Sequence, residues 1–408
     1  MPLKKILTSV YTLNPFANLE VGASWHFIYQ IARYQKVIVI TPSYNEEVMN
    51  IYMLEFPDPL YENIQFEYFD HKNSKRKYKK SSFLDGFYEI LWHRAVPEFV
   101  NKQQLKFDIV HQFTDGSAYG LGYLWKLNKP FVWGPIGHMP LIPNQYLRVY
   151  KKTRLIKDRF NWLIKKMIWK FSPNLRQTIS RADHILCMNQ NAATLLKDKN
   201  TRFSILPTIA AHDKGYTINF APESFTLISA GKLVPEKGFD LSILAFADFL
   251  SGLNTEEKAK TKLLIVGNGP ELALFKNMVS ENKIEKNVEF IESLKAEEFN
   301  LMLRNSSAFI FPSHYGSGME VAEALSAGIP IIRLDNSGNT NLITDKCGFT
   351  ISSGDYSSTI AKLSQAIKVL HSNKKTLLSM SLNARERFES SYDWNVRGVQ
   401  LKKIYFNM

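Results

Sequence analysis

The chain has 408 residues, of which 45% are hydrophobic, 13% aromatic and 22% charged, a composition that excludes disordered and fibrous classes. Its two cysteines, Cys187 and Cys347, are too few and too widely spaced for a disulfide framework or a CxxC zinc or redox site. The formal net charge is +13, and all of it lies in the first half: residues 1–215 hold 30 Lys and Arg against 17 Asp and Glu, whereas residues 216–408 hold 21 of each.

At roughly 100 to 200 residues per domain, this length predicts two domains, each with its own core. The basic half predicts an anionic partner, such as a membrane surface or a phosphate-bearing ligand. No nucleic-acid-binding module is recognisable, so nucleic acid is not expected. The opening MPLKKILTSVYTLNP lacks an apolar core with a cleavage site, and no apolar run reaches 18 residues. A cytoplasmic protein that does not span the membrane is therefore expected.

Along the chain, KKILTSV reads as a strand, SWHFIYQIARY as a helix and KVIVIT as a strand, followed later by the strands FDIVHQF, PFVWGPI and DHILCM. The rhythm restarts after residue 220 with FTLISAG, a helix through LSILAFADFL, then KLLIVGNGP, NVEFIES, AFIFPS, a helix through EVAEALSAG, and PIIRLD. Alternating strands and helices predict α/β architecture, here two Rossmann-like doubly wound parallel-sheet domains facing a cleft. The aperiodic stretch with Pro207, Gly215 and Pro222 marks the linker. The expected division is 1–210, 211–390 and a final helix over 391–408.

Ligands of open parallel sheets bind beyond the carboxyl ends of the strands. The loop after FTLISA runs Gly231-Lys232-Leu233-Val234-Pro235-Glu236-Lys237-Gly238, and its two lysines suit a clamp on a diphosphate. If they do not clamp one, they belong to a solvated loop. In LLIVGNGPEL, Gly267 and Gly269 allow close backbone approach to a ligand, although a tight turn explains them equally well. Leu272 stands where a dinucleotide fingerprint needs its third glycine, which argues against an oxidoreductase. In FIFPSHYGSGMEVAEALSAGIPII, Ser317, Gly318 and Met319 lead into a helix whose amides suit a phosphate, and Glu323 suits ribose hydroxyls. The plainer reading makes Glu320 and Glu323 acids that complement the helix dipole.

These three loops resemble the donor domain of GT-B glycosyltransferases, specifically the retaining group called glycosyltransferase family 4, across residues 225–350. AGKLVPEKG is similar to the family's diphosphate loop, IVGNGPE to its second glycine loop, and PSHYGSGMEVAEALSAGIPII to its glutamate motif. The closing SYDWNVRGVQLKKIY resembles the family's final helix, which packs back on the first domain. In the first half, NPFANLEVGASWHFIYQIARY and the segment from FDIVHQF to WGPIGHMP resemble one subset of the family. The resemblance implies that Lys232 and Lys237 contact the diphosphate of a nucleotide sugar, UDP- or GDP-linked, and that Glu323 binds ribose. It also nominates Leu294 beside the base. The catalytic candidates are His138, Lys237 and Glu323. Tyr315 occupies the place of the first of the family's two glutamates, which leaves the sugar unassigned and keeps a non-catalytic nucleotide- or sugar-binding homologue as the alternative.

In the first domain, Gly22 precedes a helix and suits approach to the donor phosphate, while Glu20, His26, His111 and Asp115 are candidates on the acceptor side. No two aspartates are separated by one residue, so no DxD cation site is present, and neither a metal nor a cofactor is expected. The function implied is transfer of a hexosyl unit to a saccharide acceptor, lipid-linked, in bacterial surface polysaccharide synthesis.

Residues 151–171, KKTRLIKDRFNWLIKKMIWKF, carry eight Lys or Arg and one acid. On a helix, Ile156, Phe160, Leu163, Ile164, Met167, Ile168 and Phe171 fall in a stripe of roughly 140°. Packing that stripe on the domain would turn Lys165, Lys166, Trp162 and Trp169 outward, as an anionic membrane interface selects. A second basic run, HKNSKRKYKK, lies at 71–80. The protein is thus expected at the inner face of the cell membrane, attached peripherally.

Overall fold

The computed structural model describes all residues except 1–2, 17–18, 72–81, 115, 118–121, 151, 198, 200, 216–223, 293, 315–317 and 336–341, together with the side chains of 19–21, 82–87 and 116–117. The chain divides into two compact units. The first comprises residues 1–138, 161–208 and 394–408, and the second comprises 139–160 and 209–393.

The first unit is built on a parallel sheet of β1 (Lys5–Ser9), β2 (Lys36–Thr41), β3 (Ile64–Tyr68), β4 (Ile109–Gln112), β5 (Gly116–Ser117), β6 (Phe131–Gly137), β7 (His184–Cys187) and β8 (Phe203–Ile205). Its order is β3-β2-β1-β4-β6-β7-β8, with the short β5 paired to β6. The second unit holds β9 (Phe225–Ala230), β10 (Thr261–Val266), β11 (Val288–Ile291), β12 (Ala308–Phe311), β13 (Ile331–Leu334) and β14 (Gly348–Ile351), in the order β11-β10-β9-β12-β13-β14. Strands β4, β6, β9, β12 and β13 are buried along their whole length, as a sheet covered on both faces requires, and their sequences are mainly apolar, with His111, Gln112, Thr226, Ser229 and Arg333 as buried polar members. The edge strands β3 and β8 are partly exposed and more polar.

In each sheet the strand order reverses once, between β1 and β4 and between β9 and β12. These switch points are where loops diverge to opposite faces and leave a crevice. In the second unit the crevice lies beside the loops that follow β9 and β12.

The sequence assigns residues 139–160 to the first domain, but they belong to the second unit because their aromatic side chains complete its core. Ile142, Tyr146, Leu147 and Tyr150 join the cluster under β9, β10 and β12. Tyr150 Oη donates to Asp240 Oδ1 at 2.7 Å, and Tyr356 Oη donates to Oδ2 at 2.7 Å. Burial pushes the Asp240 carboxyl up, and these two hydroxyl donors oppose that shift by stabilising its ionised form.

The helix Trp394–Phe406 belongs to the first unit. Trp394 lies against His26 and Phe27, with ring centroids 5.0 and 5.7 Å away. Gly398 lets the helix approach the Gln30 side chain closely, since a Cβ there would come within 2.3 Å of Gln30 Oε1 unless that side chain moved. Near the end of the helix, Tyr405 Oη lies 2.6 Å from His111 Nδ1, while His111 Nε2 lies 3.0 Å from the Gly134 carbonyl oxygen. The carbonyl can only accept, so Nε2 carries the proton and Nδ1 accepts from Tyr405. Tyr405→Phe strands that buried acceptor and should lower unfolding stability by about 1–3 kcal/mol. Urea denaturation against Phe406→Ala, which alters an exposed neighbour, checks this.

Candidate active site

Three loops at the carboxyl ends of β9, β10 and β12 form the site in the second unit, and they meet backbone on backbone. A Cβ on Gly267 would come within 1.9 Å of the Gly231 carbonyl oxygen, one on Gly269 within 2.3 Å of the Leu233 oxygen, and one on Gly238 within 2.2 Å of the Pro312 oxygen. Gly231, Gly238 and Gly267 also hold φ values of 141°, 70° and 143°, which side-chain-bearing residues rarely adopt. Backbone bonds stitch the loops: Gly231 N donates to Val266 O at 2.9 Å, Leu233 N to Asn268 O at 3.0 Å, and Glu271 N to Leu233 O at 3.2 Å. Gly267 and Gly269 are therefore accounted for by loop-on-loop packing.

This arrangement aims Lys237. Its ammonium sits 3.0 Å from Glu320 Oε1 and 5.4 Å from the centre of the Phe311 ring, at the end of β12. Glu320 is on the helix Met319–Ser326, which starts at Gly318 in the left-handed region with φ 74°. Its second oxygen, Oε2, is buried and has no hydrogen-bond partner among the described residues. Glu320, which the sequence also allows as a simple dipole-complementing acid, is the carboxylate that holds Lys237, and it keeps an acceptor open. Lys232 is exposed on the same loop. The Met319 side chain is buried in the core, so only its backbone can face a ligand. Leu294 is half-buried in the loop after β11, and Ser317 lies outside the described residues.

One turn along the same helix, burial raises the Glu323 carboxyl to about 7, helped by the Glu320 charge and opposed by Lys214. Nearby, His314 is held down to about 4 by burial, its ring 4.7 Å from Tyr146. Sequence reasoning passed over His314, which follows Pro312-Ser313 and reads as one more loop residue.

The first-unit candidates separate. His111 is fully buried in β4, its pKa driven down to about 3 by burial, and both ring nitrogens are engaged, so it is a packing residue instead of an acceptor-side group. His26 packs on Trp394. Gly22 is inside the helix Leu19–Ala32 rather than in a loop before it. The Glu20 side chain and Asp115 lie outside the described residues. His138 is half-buried at the end of β6, its backbone N–H donating to Asn189 Oδ1 at 3.4 Å. Burial and then the Lys165 charge hold its pKa down.

The basic helix Lys152–Phe171 is turned over relative to the expectation. Trp162 and Trp169 are half-buried, and Trp169 packs with Ile168 on the first unit's core. The apolar stripe apart from Ile168 is the exposed side, from Ile156 to Phe171. Lys166 spreads over the Trp162 ring at 5.1 Å, and Lys165 is exposed. The 71–80 run lies outside the described residues apart from His71.

Because the folded state binds the Glu323 proton more tightly than the unfolded chain does, the contribution of this group to stability falls as pH rises from about 4.5 to about 7, by up to about 3 kcal/mol. Glu323→Gln should flatten that part of the stability profile. Urea midpoints between pH 5 and 8 measure it, and an unchanged slope contradicts the burial of this carboxylate.

Residues 217–387 match the family model "Glycosyl transferases group 1". The chain is 30% identical over 293 residues, 67% of its length and 62% of the relative's, to the alpha-monoglucosyldiacylglycerol synthase of Streptococcus pneumoniae. It is 24% identical over 187 residues, 44% of its length and 47% of the relative's, to a GDP-mannose-dependent alpha-(1-6)-phosphatidylinositol monomannoside mannosyltransferase of Mycolicibacterium smegmatis. It thus spans about half to three fifths of these curated relatives. Among solved structures, Anabaena HepE in complex with UDP superposes with a TM-score of 0.64 at 14% identity, covering 100% of both chains. With its two parallel-sheet units and the switch-point loops of the second, the chain has the GT-B fold and resembles glycosyltransferase family 4, its residues 217–387 being similar to the glycosyl transferases group 1 model.

Proposed function

We propose that the protein is a glycosyltransferase that moves a hexosyl unit from a UDP- or GDP-linked sugar to a saccharide acceptor carried on a lipid, with retention of configuration and without a metal ion. The observation that carries this reading is the Lys237 ammonium, held half-buried at the β9/β12 switch point by Glu320 and facing the start of the Met319–Ser326 helix. A diphosphate arriving there competes with one carboxylate for a cation that is already oriented. Lys237 then neutralises charge as it builds on the leaving diphosphate, and the helix start adds its dipole. Lys232, exposed on the same loop, supplies a second cation from the solvent side.

Glu323 and the free oxygen of Glu320 offer acceptors to sugar hydroxyls, so hydrogen bonds orient the donor without a covalent intermediate. The diphosphate oxygen assists removal of the acceptor proton. The acceptor's lipid class is supported by the two relatives, whose names specify a diacylglycerol glycolipid and a phosphatidylinositol mannoside. We place the enzyme at the inner face of the bacterial membrane, in surface polysaccharide synthesis, with an anionic membrane and no nucleic acid as partner.

Thermal-shift screening with UDP, GDP and ADP and their sugars, followed by transfer to lipid-extracted acceptors, tests the reading. One nucleotide should raise the melting temperature, and its sugar should be transferred equally well in excess chelator. Lys237→Ala should lower turnover by several tens-fold or more, on the scale of one lost charge-stabilising contact. Nucleotide binding with neither transfer nor donor hydrolysis would instead assign a non-catalytic binding protein.

A further inference from the structure

The helix Lys152–Phe171 has twenty residues, none of them buried. At about 100° per residue its side chains sort into opposed arcs. Leu155, Asp158, Trp162 and Trp169 are half-buried on one. On the other, Ile156, Phe160, Leu163, Ile164, Met167 and Phe171 are all exposed, from 39% at Ile164 to 67% at Ile156. These six occupy an arc of only roughly 100°. Lys152 and Lys170 border it on one side, with Lys166 beyond, and Lys157 borders it on the other; these four lysines are exposed, while Lys165 falls on the opposite side of the helix. No helix among the described residues is long and apolar enough to cross a membrane, so a spanning role does not account for the stripe.

We infer that this face docks on an anionic bilayer, with the helix lying in the membrane plane, its six apolar side chains sunk at the boundary of headgroups and acyl chains, and its lysines on lipid phosphates. A continuous apolar stripe of this size is unfavourable in water and marks a contact surface. The charge decides the occupant. A second copy would bring the same lysines face to face, whereas anionic lipid complements them on both flanks of the stripe. The lysine stems lie along the apolar band and carry the ammonium groups to headgroup level. Length fits as well, since twenty helical residues extend about 30 Å along the surface. Trp169, Ile168 and Leu155 pack the helix on the protein, and the six exposed apolar side chains enter the lipid.

The inference rests on the membrane placement proposed above and names the surface that makes it, and it is tested without donor or acceptor so that docking and glycosyl transfer can fail separately. Co-sedimentation with vesicles of phosphatidylcholine containing about a third phosphatidylglycerol should retain the protein, with binding weakened by salt as the Debye length shortens. Replacing Phe160, Leu163 and Met167 together by Ser should reduce vesicle partitioning by at least tenfold and leave the melting temperature unchanged, because all three are exposed. Both native cysteines are buried, so an environment-sensitive thiol dye on Phe160→Cys reports that position alone and should shift to the blue on vesicles. Wild-type protein that stays in solution, a triple variant that binds as wild type, or a dye that does not shift overturns the inference. So does a concentration-dependent dimer that the triple variant abolishes while vesicles bind neither form, which would assign the stripe to a second copy.

Discussion

Everything at the candidate active site depends on the absence of side chains where its loops touch. The loops after β9, β10 and β12 approach to distances at which a single Cβ on Gly267, Gly269 or Gly238 would collide with a carbonyl oxygen. With those glycines the loops share backbone hydrogen bonds and behave as one surface. Lys237 is carried on that surface next to Glu320, whose own helix begins at Gly318. A lysine with about 2 kcal/mol of rotamer entropy to lose is therefore fixed before any anion arrives. The cost of ordering it is met by the Glu320 carboxylate and the Phe311 ring.

Burial governs the rest of the site's electrostatics. Glu323 and Glu320 lie one turn apart, and the protein favours the neutral form of Glu323 up to about pH 7. A ligand that donates hydroxyl hydrogens to Glu323 favours the ionised form, so ligand binding and proton release are coupled at this position. His314 is kept neutral by the same lack of solvent. The crevice thus holds the Lys237 ammonium against a carboxylate, a second carboxyl poised near neutrality, and no charged imidazole at His314.

The strands that were legible in the sequence are those buried on both sides. FTLISA, AFIF and IIRL are mainly apolar, broken only by Thr226, Ser229 and Arg333, and coincide with β9, β12 and β13. The strands without such a signal are marginal ones: β3 and β8 at sheet edges, the two-residue β5, and β14, each short or partly polar. Lys237 was legible because its loop has a recognisable spacing. Glu320 was not, because a first-turn acid has a sufficient local explanation and its partner lies 83 positions away. His111 shows the opposite limit, since a strand-end histidine looks the same in sequence whether it faces a ligand or is bonded on both nitrogens. The basic helix was read with the right periodicity but the wrong face, as periodicity fixes which residues share a side and not which side the protein covers.

The bond between Tyr405 and His111 has a further consequence for how the polypeptide is made. His111 is in the fourth strand of the first unit, and while Gly134 engages one nitrogen of its buried ring, the other is engaged by a residue 294 positions later. On the ribosome, the segments of the second unit are complete once Asp393 has emerged, while the first unit still lacks its final helix. The amino-terminal half therefore matures last, reversing the usual order of domains during synthesis. Until then its sheet must wait with an open flank where Trp394 and Tyr405 will dock, a period in which chaperones have reason to hold it.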